Sequence, residues 1–226
     1  MAPRKYDASR RQDLARQSRA RILAAARARF LSDGYAATTI ARIAADANVA
    51  PQTVTKHFSN KPGLVKALFD VALVGDDDEA PLAERSFIIA ILEQPDPYMK
   101  LRMYAETLAA MLPRTAPIQL LMRASGDPEL AAVWTQIREG RLAGMTSLAH
   151  NLVDGHNLRD DITVEGARDI LWTYSSPDLY ELLVINRNWS TERYAKFLAE
   201  SATTALLPRP NNPRPTRTRK PPHPPT

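Results

Sequence analysis

Gln52, Thr53, Thr55, Lys56 and His57 gather hydrogen-bonding side chains just after Pro51. A glutamine amide donates and accepts at once, which suits the major-groove edge of adenine. A threonine offers a hydroxyl to a polar edge and a methyl to thymine, and lysine is a donor for phosphate oxygens. On one face of a helix these groups would fit the major groove of B-DNA. Catalytic chemistry is poorly supplied by comparison. With no cysteine, the chain has no thiolate metal ligand, cysteine nucleophile or disulfide framework. Of four histidines, His57 belongs to the polar face and His223 to a proline-rich terminal stretch. His150, Asp154 and His156 lie close together but straddle an expected helix end at Gly155, so they read as a polar helix terminus. No metal-protease, P-loop or dinucleotide motif, paired carboxylates or activated serine stands out. The expectation is a non-enzyme with no cofactor and no metal.

The elements that must carry the polar face are helical. Apolar residues recur at spacings of three and four, and glycine is sparse at 8 residues. A first helix is expected from about Ser9 or Asp13 to Phe30-Leu31, with Leu14, Ile22, Ala25, Ala26 and Phe30 inward and seven arginines elsewhere. Ser32-Asp33-Gly34 stops it, Gly34 suiting the left-handed position after a helix end. Thr39 caps a helix of about two turns holding Ile40, Ile43, Ala44 and Ala47. Asn48 tolerates the left-handed reversal, and Pro51 opens a third helix. Two short helices about three residues apart, with Ile43, Ala44, Val49 and Val54 between them, match a helix-turn-helix. A fourth helix is expected from Lys61 or Pro62 to about Val74.

Charge follows the same division. The net +5 resolves into 13 Lys and Arg against 5 Asp and Glu over residues 1–75, 12 against 20 over 76–207, and 5 against none over 208–226. A basic head would face a polyanion, with an acidic body behind it. Residues 208–226 hold eight of the 18 prolines and nothing apolar, so they read as a disordered tail. No apolar run approaches the roughly 18 residues of a spanning helix, and no signal-like stretch opens the chain, so a cytoplasmic protein without membrane contact is expected.

The residues Gly34-Tyr35-Ala36-Ala37-Thr38-Thr39-Ile40, then Ile43-Ala44, Ala47, Val49, Thr53, His57-Phe58-Ser59-Asn60-Lys61 and Leu64 resemble the N-terminal domain of the tetracycline-repressor (TetR) family. Asn48 and Gln52 stand where glycine is common in the family, and Thr55 where tyrosine is. The resemblance implies that Gln52, Thr53 and Lys56 meet base edges or flanking phosphates, and that Tyr35, Thr39, Thr55, His57 and Lys61 hold the DNA backbone. Arg4, Lys5, Arg10 and Arg11 would form a minor-groove arm.

The body, 76–207, reads as a helical bundle with spans near 82–92, 96–112, 115–125, 127–153, 163–175, 177–187 and 190–207. Pro95, Pro97, Pro113, Pro117, Pro128 and Pro177 are placed at the junctions. The resemblance implies a small-molecule pocket here, with an effector that is largely apolar. Tyr98, Met103, Tyr104, Met111, Met122, Trp134 and Trp172 are the candidate lining. Leu171, Tyr174, Leu179, Leu182, Leu183 and Ile185, with Tyr194, Phe197, Leu198, Leu206 and Leu207, offer more apolar surface than one helix pair covers. Two copies packed as a four-helix interface would cover it. The expected protein is all-α, a homodimeric and ligand-responsive transcriptional regulator, most simply a repressor on a palindromic double-stranded operator. The alternative is a regulator of the same fold gated by a protein partner or by nothing, acting as an activator or DNA-organising protein.

Overall fold

The computed structural model describes residues 4–75, 82–155 and 157–208, and every regular element among them is helical. The tail beyond Pro208, the acidic run Asp76-Asp77-Asp78-Glu79 and His156 lie outside the described residues, as do the side chains of Arg4 and Lys5. Helix α1 (Arg4–Ala37) begins earlier than expected, and Leu14 on its first half is exposed rather than packed. Ile22, Leu23, Ala26 and Phe30, with Tyr35 beyond the break at Gly34, enter the core. Gly34 does break the helix with positive φ (80°), but its ψ of 169° is extended rather than left-handed helical. Helices α2 (Ile40–Asp46), α3 (Pro51–Phe58) and α4 (Lys61–Val74) then follow with the expected starts.

Beyond them, a 3-10 turn (Leu82–Glu84) precedes α5 (Ser86–Glu93), so the expected single span 82–92 is divided at Arg85. Helix α6 (Pro97–Ala124) corrects the sequence expectation most sharply. It runs unbroken through Pro113 and Pro117, which were placed at junctions. Each proline removes one backbone N–H bond, a cost of about 3 kcal/mol in a helix interior. Burial offsets it. Leu112, Ala116, Ile118 and Met122 of the same stretch are all buried, and a large apolar side chain contributes about 1.5–3 kcal/mol. Because α6 packs against α10, α4, α9, α1 and α7, a break there would uncover all of them.

Helix α7 (Pro128–Asp154) is capped by the Asp127 carboxylate, which accepts from the Leu130 N–H at 2.9 Å. Helix α8 (Val164–Tyr174), α9 (Pro177–Tyr180) running into a π turn (Glu181–Ile185), and α10 (Thr191–Leu206) complete the bundle. The core of α1–α4 does not close on itself. Ile118 and Met122 of α6 and Leu130 and Ile137 of α7 belong to the same buried cluster as Ile22, Phe30, Ile43 and Leu64. Head and body, as the sequence divides them, thus share packed side chains.

Candidate nucleic-acid interface and internal cavity

Local chemistry places the polar face. The Thr39 hydroxyl accepts from the Arg42 N–H at 3.2 Å and starts α2. Ile43 and Ala44 are fully buried, and Ala47 nearly so, where α2 meets α1 and α3. Asn48 reverses the chain at φ 52°, and the Val49 N–H donates back to the Ala44 carbonyl at 3.0 Å. Pro51 opens α3, whose Val54 and Phe58 turn inward. Gln52, Thr55 and Lys56 are left exposed and Thr53 and His57 half-buried, so the residues expected to form a reading face do lie on the outer side of α3. Arg29 ties α1 to α2 by donating to both Asp46 carboxylate oxygens (2.5 and 3.0 Å), and Thr38 is buried with its hydroxyl on the Gly34 carbonyl at 2.8 Å. The guanidinium holds the Asp46 carboxyl below its usual range.

The corner into α4 is tight. Ser59 takes φ 63°, the Asn60 side chain accepts from the Gly63 N–H at 2.8 Å, and a Cβ on Gly63 would stand 2.3 Å from the Phe58 carbonyl oxygen. Tyr35 and Lys61 sit at this corner differently from the other six DNA candidates. The Tyr35 ring is buried and stacked on Phe30 at 5.8 Å, and Lys61 Nζ lies 3.9 Å above it. Burial, with Asp127 and Glu129 of the body nearby, pushes the Tyr35 phenol up to about 12, while burial lowers Lys61. Most of Tyr35 is therefore spent on packing, and Lys61 is half-buried between head and body.

A cavity of about 450 Å³ lies between α4, α5, α6 and α7. Its wall is mainly apolar: Phe69, Leu73, Ile88, Leu108, Met111 and Ile137 are representative. Of the seven expected lining residues, Tyr104 and Met111 reach it. The remaining five are placed elsewhere. Met122 is buried in the head-proximal core with Trp134 against it, and Met103 packs in the core around Leu101 and Leu152. Tyr98 is exposed, its hydroxyl on the Pro208 carbonyl, and the Trp172 ring packs under Arg138 and Arg141. The wall also carries polar residues outside the expected set, among them Arg141, Gln119 and Ser175. One signal was available: Ile137, Arg141 and Met145 recur at intervals of four, so Arg141 interrupts an apolar stripe.

Residues 22–68 match the family model described as "Bacterial regulatory proteins, tetR family". Over that stretch the chain is similar to the DNA-binding domain of the TetR family. It is 47% identical over 53 residues to YvkB, an uncharacterised HTH-type transcriptional regulator of Bacillus subtilis (strain 168). That match spans 24% of this chain and 28% of the curated relative's length. The fold resembles the transcriptional regulator FadR of Bacillus subtilis, solved with stearoyl-CoA (TM-score 0.67, 20% identity, 82% of this chain and 97% of that one). It also resembles NalD of Pseudomonas aeruginosa, the secondary repressor of the MexAB-OprM multidrug efflux pump (TM-score 0.67, 19% identity, 86% and 98%).

In this TetR-type fold the residues expected at a dimer face divide in two. Leu171, Tyr194 and Leu198 are fully buried within the chain, as are Leu206 and Leu207. The expectation counted two helices, whereas α6 supplies a third that covers them: the Tyr104 hydroxyl donates to the Leu171 carbonyl at 2.9 Å, and Tyr194 and Leu198 pack with Ala105, Ala109 and Leu112. Leu182 and Ile185 are exposed, and Tyr174, Leu179, Leu183 and Phe197 half-buried.

Proposed function

We propose that this chain is a ligand-responsive transcriptional repressor of the TetR family, binding a palindromic operator as a homodimer and leaving it when a small, largely apolar molecule enters the body. The observation that carries the reading is the pairing of an exposed polar α3 with a cavity whose wall includes Lys66, Phe69, Asp70 and Leu73 of α4. A ligand there touches the last helix of the head directly, so filling the cavity biases the head's angle through differential contact. FadR's complex with stearoyl-CoA and the SmeT–triclosan complex, another solved structure of this fold (TM-score 0.65, 17% identity), support a cavity of this kind as a ligand site.

On DNA, Gln52, Thr53 and Lys56 meet base edges or their flanking phosphates, and Thr39, Thr55 and His57 the backbone. Lys61 and the hydroxyl end of Tyr35 serve at the margin, since both are engaged with the body. The dimer forms through the outer face of α9, the π turn and α10, with Leu182 and Ile185 at its centre. It sets two α3 helices about one DNA turn apart, roughly 34 Å. Selection of random duplexes by the full-length protein is expected to yield an inverted repeat with that half-site spacing, and sedimentation a dimer that Leu182→Glu weakens. Recovery of no sequence preference, or a monomer at micromolar concentration, would overturn the reading.

A further inference from the structure

Among the described residues, one cation of the cavity wall has no carboxylate bonded to it. Arg141 shares the wall with Ile137 and Met145, one helical turn to either side of it on α7. Its Nη1 donates to the Trp172 carbonyl (2.6 Å) and the Ser175 hydroxyl (2.9 Å), and its guanidinium lies 4.6 Å from the Trp172 ring centre. Its Nε is buried with no hydrogen-bond partner. Among the described residues no carboxylate pairs with it. The other charged wall residues, Lys66 and Asp70, bond each other at 2.7 Å, and Arg138 adds a second guanidinium over Trp172 at 5.6 Å. Burial lowers the Arg141 pKa to about 10, which leaves it charged at neutral pH. A desolvated cation without a counter-ion is costly, and interiors ordinarily pair it. Water can satisfy its hydrogen bonds but cannot neutralise its charge.

The cavity's shape narrows what can do so. Wall residues on α6 run from Tyr104 to Gln119, about 22 Å of helix at 1.5 Å per residue. A volume of about 450 Å³ spread along that length is long and narrow. Besides the Lys66–Asp70 pair, Thr107, Thr115 and Gln136, the polar wall residues are Tyr104, Arg141 and Ser175, which form one group, and Gln119, whose Oε1 is buried and unpartnered and which stands further along α6. We propose that the cavity takes an elongated, mostly apolar organic anion, with its acidic group on Arg141 and its hydrocarbon along α6. This rests on the cavity being the effector site.

The test compares three probes of equal chain length, each below its micelle concentration: myristate, 1-tetradecanol and tetradecyltrimethylammonium. Binding to the full-length protein is read by tryptophan fluorescence and thermal shift. Myristate is expected to bind at least tenfold more tightly than the alcohol, with the ammonium weakest. Arg141→Met, checked for folding by circular dichroism, is expected to bring the carboxylate-to-alcohol ratio within about twofold, and Arg141→Lys to keep part of it. Equal binding of acid and alcohol by the unaltered protein, or an unchanged ratio in Arg141→Met, overturns the proposal without needing the variant to behave perfectly. Release of selected operator DNA is measured separately. A neutral compound that releases DNA while the acid gains no preference sinks the anion site and leaves ligand gating standing. Preferential myristate binding without release of DNA by any compound supports the site and sinks the gating.

Discussion

The head (α1–α4) and the body (α5–α10) are built from the same kind of helix, yet they are specified differently. In the head each boundary has a local cause within a few residues: Thr39 caps α2, Asn48 reverses the chain, Pro51 opens α3 and Asn60 caps α4. In the body α6 passes two prolines, α9 loosens into a π turn, and the helices enclose a cavity. The contrast teaches that the exposed face of a short helix can be held by short-range rules, whereas an internal chamber is held by packing between distant elements. The two are nonetheless welded by a shared core through Ile118, Met122, Leu130 and Ile137.

Truncation tests the contrast most strongly. Ile43→Ala in the close-packed head is expected to cost about 2–5 kcal/mol in denaturant unfolding of the full chain and to abolish operator binding. Leu108→Ala, on the cavity wall, should cost less than half as much, because its side chain already borders a void. Equal losses would mean that the cavity is as tightly packed as the head. A paired glycine experiment follows in size. Gly63→Ala must displace the Phe58 carbonyl and is expected to destabilise by about 1–3 kcal/mol. Gly140→Ala, on a helix at the cavity rim with nothing within 4 Å of its new Cβ, should stabilise by about 0.5–1 kcal/mol. Matching signs would break the comparison.

A smaller effect concerns the exposed face. Lys56→Ala should lower affinity for all DNA sequences alike and reduce the slope of log K against log salt by about one, with thermal stability unchanged. Lys61→Ala sharpens the point: being half-buried against Tyr35 and near Asp127, it should also lower the melting temperature, which a purely DNA-facing lysine would not. The smallest expected effect is the response to acid. Arg29 and its hydrogen bonds hold Asp46 below the ordinary 3.8, and Asp33 is lowered by Ser32 and then Arg29. Depressed carboxyl values mean stability that is present above pH 3.8 and lost as the pH falls through the lower folded values. Thermal melts should therefore show a loss below pH 3.8 that is shallower in Arg29→Ala; identical acid profiles would remove this tie from the head.

Much of the head was legible residue by residue. Gln52, Thr53, Thr55, Lys56 and His57 lie outward as their polarity demands, because a short helix with Val54 and Phe58 inside has only one face left. Tyr35 was harder, since a tyrosine's polar tip conceals how much of its ring will be packed, and here Phe30 takes it. In the body, bulk and polarizability pointed to seven lining residues, but Met122, Met103 and Trp134 proved useful to the core for those same properties. Arg141 went unnoticed because an arginine is ordinarily solvated, and only the packing of α7 against Trp172 and Ser175 turns it inward.

By itself the sequence determined an all-helical chain, a basic head with a helix-turn-helix, and the residues that α3 exposes. These follow from capping, from backbone preferences at Asn48 and Pro51, and from apolar spacing, all of which act over one or two turns. Only the tertiary structure decided that α6 runs through Pro113 and Pro117, that Leu171, Tyr194 and Leu198 lie inside the chain, and that a cation borders the cavity. Those outcomes depend on which helix covers which, and burial by a partner far away in sequence can outweigh the local cost of a proline or a desolvated charge.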